Sequence, residues 1–248
     1  MLARSGLICL LLAPVLISPL RPAAAQDLVA DLSSHLIAIT SSYAGAELLL
    51  FGAREEGGDV IVVVRGPPQR VLVRQKRRIG GIWINRDSAT FVKVPGYYAV
   101  HANRILADIA SARVLARQRI GVENLILEAE GVDPLEAVSF REALIRNHQK
   151  QGFFREEEGK VAFLGNRLFR TKVQFPAKTP VGSYTAEIYV VRDGHIVGAQ
   201  MTPLFVRKTG LERAVFDFAH SQPATYGLAA ILIALAAGWL AGAVFRKV

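Results

Sequence analysis

Between residues 28 and 101 the chain alternates short apolar runs with turn-forming residues. The runs fall at 36–39, 47–51, 59–64, 70–74, 81–84, 90–94 and 97–100, punctuated by Gly57-Gly58, Gly66-Pro67-Pro68, Gly80-Gly81 and Pro95-Gly96. Short segments rich in Val, Ile and aromatics at this spacing predict an antiparallel sandwich of immunoglobulin-like type, with Trp83 in its core. The period then changes. Ile105, Ile109, Ala112, Ala116 and Ile120 recur at helical spacing up to Gly121, which predicts one helix. A second helix is better punctuated: Asp133 as N-cap, Pro134 at the first position, Glu136 to close a capping box and Gly152 as the stop. After Glu156-Glu157-Glu158 the strand signal returns. Phe169, Thr171, Val173 and Phe175 alternate with Arg170 and Lys172, and Tyr184, Ala186, Ile188 and Val190 alternate with Thr185, Glu187 and Tyr189. Arg192-Asp193-Gly194 reads as a hairpin turn, and Pro180 to Tyr184 as a strand entry whose Tyr makes a corner contact. These later strands either complete the first sheet or build a small second module.

The two ends carry a different pattern. Arg4, an apolar run over 7–17 and the triplet Ala23-Ala24-Ala25 have the order of a secretory leader, with cleavage expected after Ala25. The run is short of the ~20 residues that a span needs. Residues 223–245 contain no charge, long enough to cross the ~30 Å hydrocarbon layer as a helix. Arg246 and Lys247 follow directly and place that end in the cytoplasm by the positive-inside rule. The expected organisation is therefore a leader (1–25), an immunoglobulin-like β-sandwich (26–103), a helical segment (104–152), further β structure (153–210), a juxtamembrane stretch (211–222), a transmembrane helix (223–245) and a cytoplasmic tail (246–248).

Charge narrows the partners. The chain has 30 basic and 21 acidic side chains, and loss of Arg4 and Arg21 with the leader leaves a net +7. Arg74, Lys76, Arg77 and Arg78 form a basic run that would suggest nucleic acid in a cytosolic protein. Behind a leader it suggests a solvated strand end, anionic lipid or an acidic partner, and no nucleic acid. Asn85, Arg86 and Asp87 add charged and amide groups at a strand end, where sandwich loops bind partners.

Cys9, the single cysteine, lies inside the leader, so the exported chain has no thiol for a disulfide, a metal or a nucleophile. No nucleophile elbow, zinc-protease helix, phosphate loop or dinucleotide fingerprint occurs. The histidines His35, His101, His148, His195 and His220 are too far apart for a local metal pair. No cofactor and no metal are expected. An enzyme or solute-binding reading would require distant groups such as His101, Asn85, Arg86 and Asp87 to converge. In the membrane segment Ala230, Ala234, Gly238 and Gly242 recur every fourth residue, a stripe without bulk against which a second helix can pack. Its partner would be another membrane protein or a second copy.

Several segments together carry a family resemblance. They are residues 45–53, 62–67, 81–87 and 180–184, then Gly210-Leu211-Glu212-Arg213, residues 216–220, Gln222-Pro223 and the span that follows. They resemble the transmembrane protein family of alphaproteobacteria, with its layout of leader, exported domain and anchor. The resemblance implies a single-pass inner-membrane protein with its folded part in the periplasm. It brings no catalytic residues or cofactor. It also implies genes near transporters of the sulfite-exporter type, and hence an accessory role to such a transporter.

Overall fold

A computed structural model describes residues 28–55 and 57–245. The leader expected over 1–25 and the Arg246, Lys247 pair lie outside the described residues. The protein is mainly β, with several sheets and one long apolar helix at the C-terminal side. Seven strands come first: β1 (Leu28–Leu32), β2 (Leu36–Ile39), β3 (Gly45–Arg54), β4 (Asp59–Arg65), β5 (Pro68–Ile79), β6 (Ile82–Pro95) and β7 (Tyr98–Ala102). Helices α1 (Leu106–Ile109) and α2 (Ala112–Gln118), strand β8 (Glu128–Glu130) and helix α3 (Pro134–Lys150) follow. Strands β9 (Gly159–Lys160), β10 (Ala162–Leu164), β11 (Leu168–Pro176), β12 (Gly182–Arg192) and β13 (His195–Lys208) precede helices α4 (Leu211–Ser221) and α5 (Pro223–Phe245).

The strands form three sheets. The first has the order β1-β3-β11-β10, the second β2-β13-β12-β4-β7-β9, and the third β5-β6-β8. Strands from both ends of the folded part thus interleave: β11 pairs with β3, and β12 with β4. The first two sheets share one core. Leu48, Leu50, Phe169 and Val173 on one side meet Val60, Val62, Val64, Ile188 and Leu204 on the other. Strand β11 shows the alternation of a sheet buried on one face only, with Phe169, Thr171, Val173 and Phe175 inside and Arg170 and Lys172 outside.

β4 obeys a different rule. Val60, Ile61, Val62, Val63 and Val64 are all buried. Ile61 and Val63 face away from the first sheet and pack with Tyr98, Tyr189, Val191, Leu115, Phe140 and Leu144. The helices therefore form a third layer over the second sheet, which explains why β4 reads as an unbroken apolar run.

Local chemistry sets the ends of the elements. Asp133 accepts a hydrogen bond from Leu135 N at 2.9 Å and caps α3, and Gly152, at φ +75°, follows its end. The single helix expected from Ile105 to Ile120 is instead two, because Ala110 is extended (φ −146°, ψ 150°). The break lets Leu106, Ile109 and Leu115 all enter the second core, which one straight helix of that register would not do. The runs at 81–84 and 90–94 are parts of the one strand β6. The polar stretch between them is taken up by a bulge: Gln75 pairs with Asp87 and Lys76 with Asn85, leaving Arg86 as the extra residue.

An aromatic cluster closes one end of the sandwich. The Tyr97 ring stacks on Phe175 at 5.0 Å and lies 6.0 Å from Tyr184, whose hydroxyl donates to Pro180 O at 2.7 Å. That bond ties the connection from β11 to the start of β12. Replacing Tyr184 with Phe keeps the ring and leaves the Pro180 carbonyl without its donor. The expected cost is about 1–2 kcal/mol, read as a lower denaturation midpoint with an unchanged m-value.

Candidate functional site

The basic run and the Asn85, Arg86, Asp87 group, separate in sequence, meet on one element. They line the outer half of the β5–β6 hairpin, where Arg74 pairs with Ser88, Lys76 with Asn85 and Arg78 with Trp83. Gly80 and Gly81, at φ +58° and +86°, make the turn, a conformation that suits the twist of a two-residue hairpin and needs residues without a Cβ. The inner half is held: Val73, Ala89, Phe91 and Val94 are buried in the second core, and Arg70 pairs with Glu130 of β8. The outer half stands clear. Ile82 is 68% exposed, Ile84 43%, and Trp83, expected in the core, 64%. Trp83 lies outside because the hairpin has left the sandwich before reaching it. The register also sets Arg77 opposite Ile84, while the Arg77 side chain lies outside the described residues. Residues 74–87 hold five cations and one anion. The arm thus combines an apolar tip with a positive stem, a pairing that reading the runs one by one misses.

The second candidate is the helical tail. α5 is apolar over Pro223–Gly242, with mean hydropathy 1.8 and nothing of that stretch buried against the rest of the protein. Ala230 and Ala234 are exposed on it, and a Cβ added at Gly238 or Gly242 would meet no atom within 4 Å. The four-residue stripe is therefore open. α4 precedes it and exposes Val215, Phe216 and Phe218. Phe218 meets Tyr226 edge-on at 6.0 Å across the joint, and Gln222 N donates to Phe218 O at 3.0 Å.

A polar cleft of about 660 Å³ lies at the start of β4, lined by Gly58, Asp59, Arg104, Asp108, Arg192 and Asp193. Asp59 and Arg104 in it are paired with one another. Asp59 accepts from Arg104 Nε at 2.9 Å and from Asn103 Nδ2 at 2.8 Å. The Arg104 hydrogen bond holds the Asp59 carboxyl below its usual range. Arg192 Nε donates to Gly57 O at 3.1 Å.

His101 does not join Asn85, Arg86 and Asp87. It is buried in β7, while Asn85 lies ten residues out along β6 from Pro95, on the order of 30 Å of strand. Thr171 Oγ1 donates to Lys160 O at 3.0 Å, so at 2.8 Å its oxygen accepts from His101 Nδ1–H. The ring is pressed against β9, where a Cβ on Gly159 would come within 2.0 Å of His101 Nδ1. His148 is likewise buried, with Nδ1 3.2 Å from Leu144 O and its ring 4.7 Å from Phe154. His35 lies 3.0 Å from Asp31, and His220 stacks on Phe216 at 3.9 Å. Among the described residues no group of three or more His, Cys, Asp or Glu side chains is placed to hold a metal ion.

Comparison with known families places the chain in a family of membrane proteins. The model of the family described as "Putative transmembrane protein" matches residues 27–247, nearly the whole chain. No curated protein matches.

Burial lowers the His101 pKa from 6.5 to about 4, with a smaller push from Arg155 in the same direction. The unfolded chain binds this proton below pH 6.5 and the folded chain only below about pH 4. Stability from this group is complete above pH 6.5 and is lost as the pH falls to about 4, by about 3 kcal/mol in all. His148, also lowered by burial, acts in the same sense. Urea titrations across this window are expected to show the fall, and His101→Gln to flatten it. Gly159→Ala is expected to cost about 1–3 kcal/mol at neutral pH by displacing the His101 ring.

Proposed function

We propose, because the chain belongs to this family of transmembrane proteins, that it is a single-pass inner-membrane protein whose periplasmic β-sandwich binds or positions a partner. The observation that carries this reading is α5, an apolar helix of spanning length with its small-residue stripe open. Gly238 and Gly242, with Ala230 and Ala234, would let a second helix approach closely enough for dispersion contacts and Cα–H···O bonds. The second helix belongs to another membrane protein or to a second copy. The leader pattern over 1–25 and the cations Arg246 and Lys247 support an outside domain and an inside tail. The immunoglobulin-like reading of the sandwich draws on the interleaved strand order and the Tyr184 corner bond.

An accessory role to a transporter of the sulfite-exporter type follows from the family resemblance, and the layout suits it. The anchor holds the domain beside a membrane partner, while Arg74, Lys76, Arg77 and Arg78, with Asn85, Arg86 and Asp87, offer contacts outside the bilayer. A tethered enzyme or solute-binding domain is the less supported reading. The residues it required are not assembled, and in the cleft Asp59 is already paired with Arg104.

Crosslinking and affinity purification of the full-length protein from native membranes test the helix contact. Gly238→Leu with Gly242→Leu is expected to reduce recovery of the crosslinked partner about tenfold, as loss of 1–2 kcal/mol of helix packing would. Circular dichroism of the same variant should be unchanged. Undiminished recovery would remove the proposal.

A further inference from the structure

The arm and the membrane anchor leave the second sheet at the same end. Arg65, at the end of β4, pairs with Thr185, and Thr185 pairs with Pro203 of β13. β4 and β13 therefore run in the same direction, separated by β12 alone, or roughly 10 Å at ordinary strand spacing. β13 continues to Lys208, and only Thr209 and Gly210 lie between it and α4, which leads into α5. Beyond Arg65 the ladder between β4 and β7 does not stop. Gly66 N donates to Tyr97 O at 2.7 Å and Gly96 N to Pro67 O at 2.8 Å, so the β5–β6 arm is a prolongation of that ribbon. It is rooted at the end of the sheet from which the anchor departs.

The chemistry of the arm matches what it finds there. Its outer six residues per strand reach roughly 20 Å. The tip presents Ile82 and Ile84 on one face and Trp83 on the other, all exposed. Arg78 is directly opposite Trp83, and Lys76, Arg74 and Arg86 stand behind it. Apolar residues at the end, with cations level with Trp83 and on the rungs behind it, is the order of polarity met on entering a bilayer that bears anionic headgroups. Trp favours that boundary, and Lys and Arg bind the headgroups above it.

We propose that the β5–β6 arm is a second membrane contact: its Ile82-Trp83-Ile84 tip sits in the interface of the bilayer that holds α5, and Arg74, Lys76, Arg78 and Arg86 bind anionic phospholipid headgroups. The contact fixes the orientation of the domain above the membrane, since a single helix leaves it free to rotate. It depends on membrane anchorage and not on any protein partner, so it stands or falls separately from the stripe on α5.

Trp83 and Trp239 are the two tryptophans of the chain, so Trp239→Phe leaves Trp83 as sole reporter in the full-length protein. The protein is reconstituted into phosphatidylcholine vesicles with and without phosphatidylglycerol. With phosphatidylglycerol, Trp83 emission is expected to shift to the blue and to be quenched by lipids brominated near the headgroup end of the chain. Substituting Gln for Arg74, Lys76, Arg78 and Arg86 together should lower that quenching by at least about half, with circular dichroism unchanged. Emission typical of water, quenched by iodide and not by brominated lipid, overturns the proposal. So does a blue shift without lipid quenching, which assigns the tip to a protein surface. Equal lipid quenching with and without phosphatidylglycerol, unaffected by the Gln variant, overturns the anionic headgroup as ligand.

Discussion

Five consecutive apolar residues of β4, Val60, Ile61, Val62, Val63 and Val64, are sealed on both faces, and the architecture is arranged around that constraint. A strand of this kind cannot stand at a solvent-facing sheet, because burying each large aliphatic side chain is worth about 1.5–3 kcal/mol. It needs a cover on each side. The first sheet supplies one, and α1 to α3 with the root of the arm supply the other. The two ends of β4 consequently open on different features. At Asp59 the strand opens on the polar cleft, and beyond Arg65 it is extended into the arm.

Polar groups in this layered interior are few, and those around Arg65 and Tyr98 specify how the layers sit. Arg65 Nε reaches both carboxylate oxygens of Glu187 at 3.0 and 3.1 Å, while Nη2 donates to Gln118 O at 3.0 Å and Arg119 O at 3.1 Å. Tyr98 donates to Arg119 O at 3.0 Å and accepts from Gly121 N at 2.9 Å, and its hydroxyl pKa is pushed up to about 12 by burial. These bonds fasten the end of α2 to the second sheet. In a low-dielectric interior an unmet partner would be costly, so apolar contact sets the distance between layers and the hydrogen bonds set their register.

How much could be read in advance differed by element, for a physical reason. β11 and β12 were legible because each shows period-two alternation over a buried face, and α3 because Asp133, Pro134 and Gly152 are local signals. The break at Ala110 was not legible, since Ile105, Ile109 and Ala112 satisfy helical spacing and only the shape of the second core forces the chain to extend there. Trp83 misled for a related reason. An aromatic residue in a short Val and Ile run looks like core, and its exposure follows from where the hairpin leaves the sheet.

Taken alone, the sequence determined the β-rich character, the two helical signals, the apolar tail with its four-residue stripe and the positive charge of residues 74–78. Each of these is a matter of composition or of spacing within one segment. Tertiary structure decided the rest: that strands over a hundred residues apart interleave in shared sheets, that β4 is covered twice, that the two charged groups occupy one arm, and that arm and anchor share an end. Those are properties of pairing between distant segments, and a one-dimensional pattern contains the preference of each strand for some partner but not the identity of that partner.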